Sequence, residues 1–429
     1  MITTKTGSDA PRVDSPAVWR SSDTAWMLGL YGTAIGAGVL FLPINAGIGG
    51  LMPLLMMAVL AFPLTYFSHR GLARFVLSGS QQSNDITEVV EEHFGTRAGK
   101  LAALLYFISI FPILLVYGVS LTNTVESFMT HQMGMIAPPR VVLSVTLLAG
   151  VIGIVRFGEE IIVRVMGVLV YPFVAVLMLL AVYLIPHWNG ELFSTSSIVA
   201  SAASGKLGMT LWLAIPVMVF SFSHVPIISA FAKSKRKEYG PSLVDQKCCA
   251  ILKRAHFMMV VTVMFFVFSC LLTLSPQHLL EAKQQNITIL SYLANHLGTP
   301  LIGVTAPIIA FVAITKSFLG TYIGAKEGFV ALVNRTPRIK NQPLKENQLN
   351  DLAALFILLS VWFVSTWNPS VLGMIEMISG PILSLILFLL PMYAIHKLPS
   401  LKKYRNKNSN TFVILIGIAA LSSTLYSLI

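Results

Sequence analysis

Long apolar runs separated by short polar breaks dominate the chain. A helix that crosses about 30 Å of hydrocarbon needs about 20 predominantly apolar residues. Runs of this kind fall at 26–48, 51–75, 98–128, 140–155, 160–185, 210–232, 250–274, 300–331, 351–367, 374–396 and 411–428. The pattern predicts an all-α integral membrane protein with eleven transmembrane helices; the fourth run is short and needs slight extension to span. Two segments between runs carry signals of their own. Asp85-Ile86-Thr87-Glu88 reads as a capped helix start whose amphipathic stretch reaches Phe94 and stops at Gly95. Residues 276–297, with Leu279, Leu280, Ile287, Ile289, Leu290 and Leu293, read as one or two surface helices, either a lid or a tight connector.

Composition narrows the class. Of 429 residues, 55% are hydrophobic and 11% charged, and the mean hydropathy is +0.75. Soluble domains carry about 25% charged residues. A soluble enzyme, a disordered regulator and a secreted disulfide scaffold are excluded. Cys248 and Cys249 are adjacent and Cys270 stands alone, a spacing that implies neither a disulfide framework nor a metal site; no cofactor is expected.

A net charge of +12 would suit a nucleic-acid partner if it were spread evenly. It is not. With a cytoplasmic N-terminus, all but four of the 30 Lys and Arg residues fall in segments on the cytoplasmic side. The exceptions are Arg140, Lys206 and Lys283 on the other side and Lys316 inside the eighth run. Such an asymmetry predicts a multi-pass protein in contact with membrane lipid, N-terminus inside and C-terminus outside, with no nucleic acid bound. Residues 1–25 read as a cytoplasmic tail rather than a signal peptide, because the apolar run that follows is too long and leads into further spans.

Two runs are interrupted at mid-membrane depth. The first contains Gly32-Thr33-Ala34-Ile35-Gly36-Ala37-Gly38, and glycines at this density weaken a helix. In the sixth, Pro216 and Pro226 bracket Ser221-Phe222-Ser223-His224. Unwound backbone survives in a bilayer only where protein or a water-filled cavity supplies its hydrogen bonds. The two interrupted runs lie five spans apart, begin with Trp26-Met27-Leu28 and Trp212-Leu213-Ala214, and run in opposite directions. That arrangement points to an inverted repeat with a binding site at the midplane. The first repeat is 26–185, the second 210–398, and the span within 411–429 is an addition.

The Gly-rich stretch 32–38, the Ser-Phe-Ser-His break 221–224 and the 85–95 segment ending in Phe-Gly resemble the bacterial hydroxy and aromatic amino-acid permeases. These form part of the amino acid–polyamine–organocation superfamily. The resemblance covers essentially the whole chain and is strongest to the proton-coupled serine transporters of enteric bacteria, with threonine/serine transporters near by. It implies the leucine-transporter-type fold, a place in the bacterial inner membrane with a periplasmic C-terminus, and proton-coupled import of L-serine by alternating access. L-threonine or an aromatic amino acid is the alternative substrate.

A half-helix N-terminus offers free N–H groups to a carboxylate, which assigns the substrate carboxylate to Gly36, Ala37 and Gly38. Carbonyls near Thr33, Ala34, Ser221 and Phe222 would accept from the ammonium, and Thr33, Ser223 or His224 would meet a hydroxyl. By analogy with the fold, Tyr117 of the third span lines the same cavity. For the hydroxyl residues the competing reading is a local bond to the preceding turn.

Ionisable groups within spans are functional candidates. Glu126 and Glu376 lie near span ends and read as interfacial. His224 suits proton exchange, but a neutral histidine bonded to backbone would present the same sequence. Lys316, in Ala313-Ile314-Thr315-Lys316-Ser317, is the deepest charge. In sodium-coupled relatives of the fold, a hydroxyl-bearing stretch of the eighth span faces first-span carbonyls across a sodium ion. Here a lysine occupies that stretch, the carbonyls would be those of Gly32 and Ile35, and the resemblance assigns Lys316 to proton coupling, with His224 as second choice. A channel is disfavoured by the absence of repeated lining residues. An enzyme is disfavoured because no carboxylate stands at the depth of Ser221 and His224, and a non-transporting sensor would be expected to carry a soluble signalling domain.

Overall fold

The computed structural model describes residues 18–80, 85–155, 159–189, 207–334 and 345–427. The first seventeen residues of the expected cytoplasmic tail lie outside them. In chain order the helices are α1 (Ser21–Ala34), α2 (Ala37–Ile48), α3 (Leu51–Ser78), α4 (Ile86–Phe94), α5 (Thr96–Ser127), α6 (Arg140–Val155), α7 (Glu159–Tyr183) and α8 (Leu207–Ser221). The second half holds α9 (Val225–Thr273), α10 (Pro276–Gln284), α11 (Ile289–Leu297), α12 (Pro300–Asn334) and α13 (Glu346–Trp367). It ends with α14 (Val371–Lys397) and α15 (Asn408–Ser427).

Among the described residues, seven helices are long and apolar enough to cross a membrane, and the bent pair α1–α2, turning by 56°, makes an eighth. Three shorter apolar helices, Arg140–Ile154, Leu207–Ser221 and Asn408–Ser423, occupy places where the apolar runs predict further spans. The sixth and seventh runs share α9, which bends at Gly240, a residue in the left-handed region (φ 66°) followed by Pro241. Only glycine enters that region freely, and proline ends the preceding hydrogen-bonded turn. The first span begins at Ser21, earlier than its apolar run.

The connecting segments follow their signals. Asp85 accepts from the Thr87 and Glu88 backbone amides to start α4, and Gly95 ends it at φ 87°. The 276–297 segment is two helices: Ser275 caps α10 through the His278 amide, and Thr288 caps α11 through the Ser291 amide. Their apolar faces, with Leu279, Ile289, Leu290 and Leu293, are buried against the bundle.

Candidate functional site

Both expected breaks are present. α1 ends at Ala34, Ile35 and Gly36 leave helical geometry, and α2 starts at Ala37. α8 ends at Ser221 and α9 starts at Val225, with Pro226 in its first turn, where a missing N–H costs nothing. The breaks touch: Ser221 Oγ donates to the Gly38 carbonyl at 3.1 Å. A Cβ built on Gly38 would lie 3.0 Å from both the Phe220 ring and the Ser221 backbone. One built on Gly36 would lie 2.2 Å from Ser317 Oγ. At both positions the absent side chain permits close approach of another element.

Around this crossing the structure gathers Tyr117, Phe220, Ser221 and Ser317. The Tyr117 and Phe220 rings are 6.1 Å apart, and the Tyr117 phenol is within hydrogen-bonding reach of Ser317 and Thr321. Phe222 is buried beside them in the chain. The hydroxyl residues divide. Thr33 Oγ1 donates to the Gly29 carbonyl at 2.8 Å, the local bond of an ordinary membrane helix. Ser223 Oγ accepts from the Val225 amide at 3.4 Å and so helps begin α9. Ala34 ends α1 and Ala37 begins α2 on either side of the first break.

Lys316 crosses from α12 to the first break. Its Nζ donates to the carbonyls of Gly32 at 2.6 Å and Ile35 at 3.2 Å. The side chain is 3% exposed, and the Phe173 ring of α7 lies 5.7 Å from its ammonium. Among the described residues no carboxylate bonds to it. The physical logic is that of a helix end. The last carbonyls of α1 lose their partners where the helix stops, and the ammonium supplies hydrogen bonds that water cannot.

His224 sits elsewhere in the site. Its ring stacks on His69 of α3, centroids 3.9 Å apart, with His256 of α9 completing a buried trio. The chain offers no spacing signal for His69 or His256, since His69 and His224 alone are 155 residues apart. Glu376 is half-buried rather than solvated and accepts from Asn45 of α2 at 2.9 Å. Glu126 pairs with Arg140. These ties between spans depend on which faces meet, which no run of residues announces.

The sequence profile of the tryptophan/tyrosine permease family matches residues 25–388. The serine transporter SdaC of Escherichia coli (strain K12) is 61% identical over 429 residues, which is 100% of both chains. The serine transporter SdaC of Shigella flexneri is 60% identical over the same length, again 100% of both chains. Among solved structures, MhsT in complex with L-phenylalanine matches with TM-score 0.59 at 18% identity, over 95% of this chain and 98% of that one. A mutant manganese transporter of Eremococcus coleocola matches with TM-score 0.65 at 11% identity, over 97% of this chain and 89% of that one. At such identities the likeness concerns the fold, which is of the leucine-transporter type. By profile and by full-length identity, the chain belongs to the tryptophan/tyrosine permease family.

Proposed function

We propose that the protein imports L-serine with protons by alternating access, and that its basic end faces the bacterial cytoplasm. The observation that carries this reading is the Lys316 ammonium seated on the Gly32 and Ile35 carbonyls. It supports the role that the resemblance assigns to Lys316, a protonatable cation standing in for a sodium ion. The full-length relatives named as serine transporters support the substrate. Free backbone at the start of α2 suits the substrate carboxylate, with carbonyls at the two breaks for its ammonium and Ser221 or Ser223 for its hydroxyl. Protonated, Lys316 braces α1 against α12; once the proton leaves toward the cytoplasm, the tie weakens and α1 is free to move. A threonine methyl group changes affinity by about 1–3 kcal/mol, so some threonine uptake is expected.

The test is uptake of labelled amino acids by purified protein in liposomes, with pH and sodium gradients varied independently. The expected result is serine accumulation driven by the pH gradient and indifferent to sodium. Lys316→Met is expected to retain counterflow exchange at equal pH and to lose pH-driven accumulation. Undiminished proton-driven accumulation by that variant eliminates the coupling role, and tryptophan or tyrosine outcompeting serine overturns the substrate.

A further inference from the structure

We propose that His69, His224 and His256 form a binding site for a late first-row divalent ion of the zinc class, and that a bound ion pins the broken sixth span. All three side chains are at most 1% exposed. One ring nitrogen of each lies within 4.8 Å of a ring nitrogen of both others. The three come from α3, from the break between α8 and α9, and from the later part of α9.

The hydrogen bonds define which nitrogens are free. His69 Nδ1 bonds the Thr65 carbonyl at 2.8 Å and His256 Nδ1 bonds the Leu252 carbonyl at 2.6 Å. A carbonyl only accepts, so both Nδ1 atoms carry the proton and both Nε2 atoms present lone pairs. His69 Nε2 accepts from the His224 backbone amide at 3.2 Å. His256 Nε2 and both ring nitrogens of His224 have no hydrogen-bond partner. Buried polar atoms without partners are rare and call for an explanation. A second ring nitrogen anchored on a backbone carbonyl is the arrangement that orients metal-ligating histidines.

The donor set selects the ion. Neutral imidazoles suit zinc, copper and nickel, whereas magnesium and calcium require oxygen ligands. Three nitrogens at about 2.0–2.1 Å in a tetrahedral shell stand about 3.3 Å apart. Because the His69 and His224 rings stack at an interplanar angle of 20°, His224 would swing out of the stack to turn a nitrogen toward the ion, its amide would release His69 Nε2, and a water would complete the shell. A filled site would join the break of the sixth span to α3 and α9. If alternating access, on which this step rests, also moves that break, the ion acts as a brake.

The binding test does not depend on transport. Zinc binding to purified full-length protein is measured by equilibrium dialysis, with zinc-edge X-ray absorption to identify the ligands. The expected result is one tightly held ion with imidazole nitrogens at about 2.0–2.1 Å, and a loss of at least about tenfold in affinity in His256→Leu. His278 and His296, whose rings are 4.1 Å apart outside the trio, provide the control, and His278→Ala should leave that tight ion bound. An ion lost in His278→Ala and kept in His256→Leu overturns the proposal, as does wild-type protein that binds no zinc. If His256→Leu does not fold, the wild-type absorption spectrum decides: a shell dominated by oxygen overturns the site. In liposomes, zinc should inhibit wild-type serine uptake and spare His256→Leu. Tight binding by the trio without inhibition sinks the brake, while absent uptake at any zinc level counts against the transport reading alone.

Discussion

Buried lysines meet the first span both at its foot and at its break, and their surroundings are opposites. At the foot, Lys235 of α9 is 0% exposed and bonds Asp23 at 2.8 Å and Glu238 at 2.6 Å. Asp23, also buried, accepts in addition from the Tyr239 hydroxyl at 2.8 Å and from Lys247 at 3.2 Å. At the break, Lys316 has two neutral carbonyls. A buried charge needs a partner and further hydrogen bonds to offset its lost hydration. Lys235 has counter-charges on both helices and ties α1 to α9. Lys316 has hydrogen-bond acceptors without a counter-charge. That contrast is the one the proposed coupling role relies on. The same side chain meets carboxylates at one depth and only carbonyls at the other.

The comparison can be broken most forcefully at the foot. Asp23→Ala leaves Lys235 and Lys247 facing a cavity without their shared carboxylate, and removing one partner of a buried ion pair costs about 3–5 kcal/mol. Thermal unfolding in detergent should show a large drop in Tm, whereas Lys316→Met should lower it much less, since it removes charge and leaves none unpaired. Equal losses from both substitutions would show that the two lysines are structural alike.

A smaller effect on stability, with a large one on transport, is expected at the break. Gly36→Val and Gly38→Val overpack the crossing, at about 1–3 kcal/mol, and should abolish serine uptake while the protein still reaches the membrane. Alanine separates the two positions. Ser317 Oγ can rotate away from a new methyl group at residue 36, but the Ser221 backbone beside Gly38 cannot. Gly36→Ala is therefore expected to retain more uptake than Gly38→Ala, and the reverse order would contradict the packing described here.

The smallest effect belongs to the end of the bundle opposite the basic one, where side-chain amides join the helices. Asn45 donates to Glu376, and Asn123 to the Asn286 carbonyl at 2.7 Å. Asn45→Ala should cost about 1.5–3 kcal/mol at most, the range for a hydrogen bond to a charged group, and nearer 1 kcal/mol if water reaches Glu376. A Tm loss as large as that of Asp23→Ala would erase the contrast between the two ends.

Much of this was legible in the chain because it is local. Helix length follows from the apolar runs. The glycines at 32, 36 and 38 and the prolines at 216 and 226 mark the breaks, because each acts on its own stretch of backbone. The same local chemistry located α4 between Asp85 and Gly95. Lys316 stood out by depth, and likeness to a known fold supplied its carbonyl partners. Other features were not legible. The Thr33 hydroxyl bonds within its own helix, whereas Ser221 reaches across to Gly38, and both sit in equivalent-looking polar interruptions. His69 and His256 gave no sign of joining His224, nor Asp23 of gathering two lysines and a tyrosine. A helix apolar on every side has no polar stripe to declare which face turns inward. Its rotation about its own axis is fixed by the neighbours it packs against. The sequence alone therefore decided where the long apolar helices lie and where two of them unwind, and packing in three dimensions decided which side chains meet there.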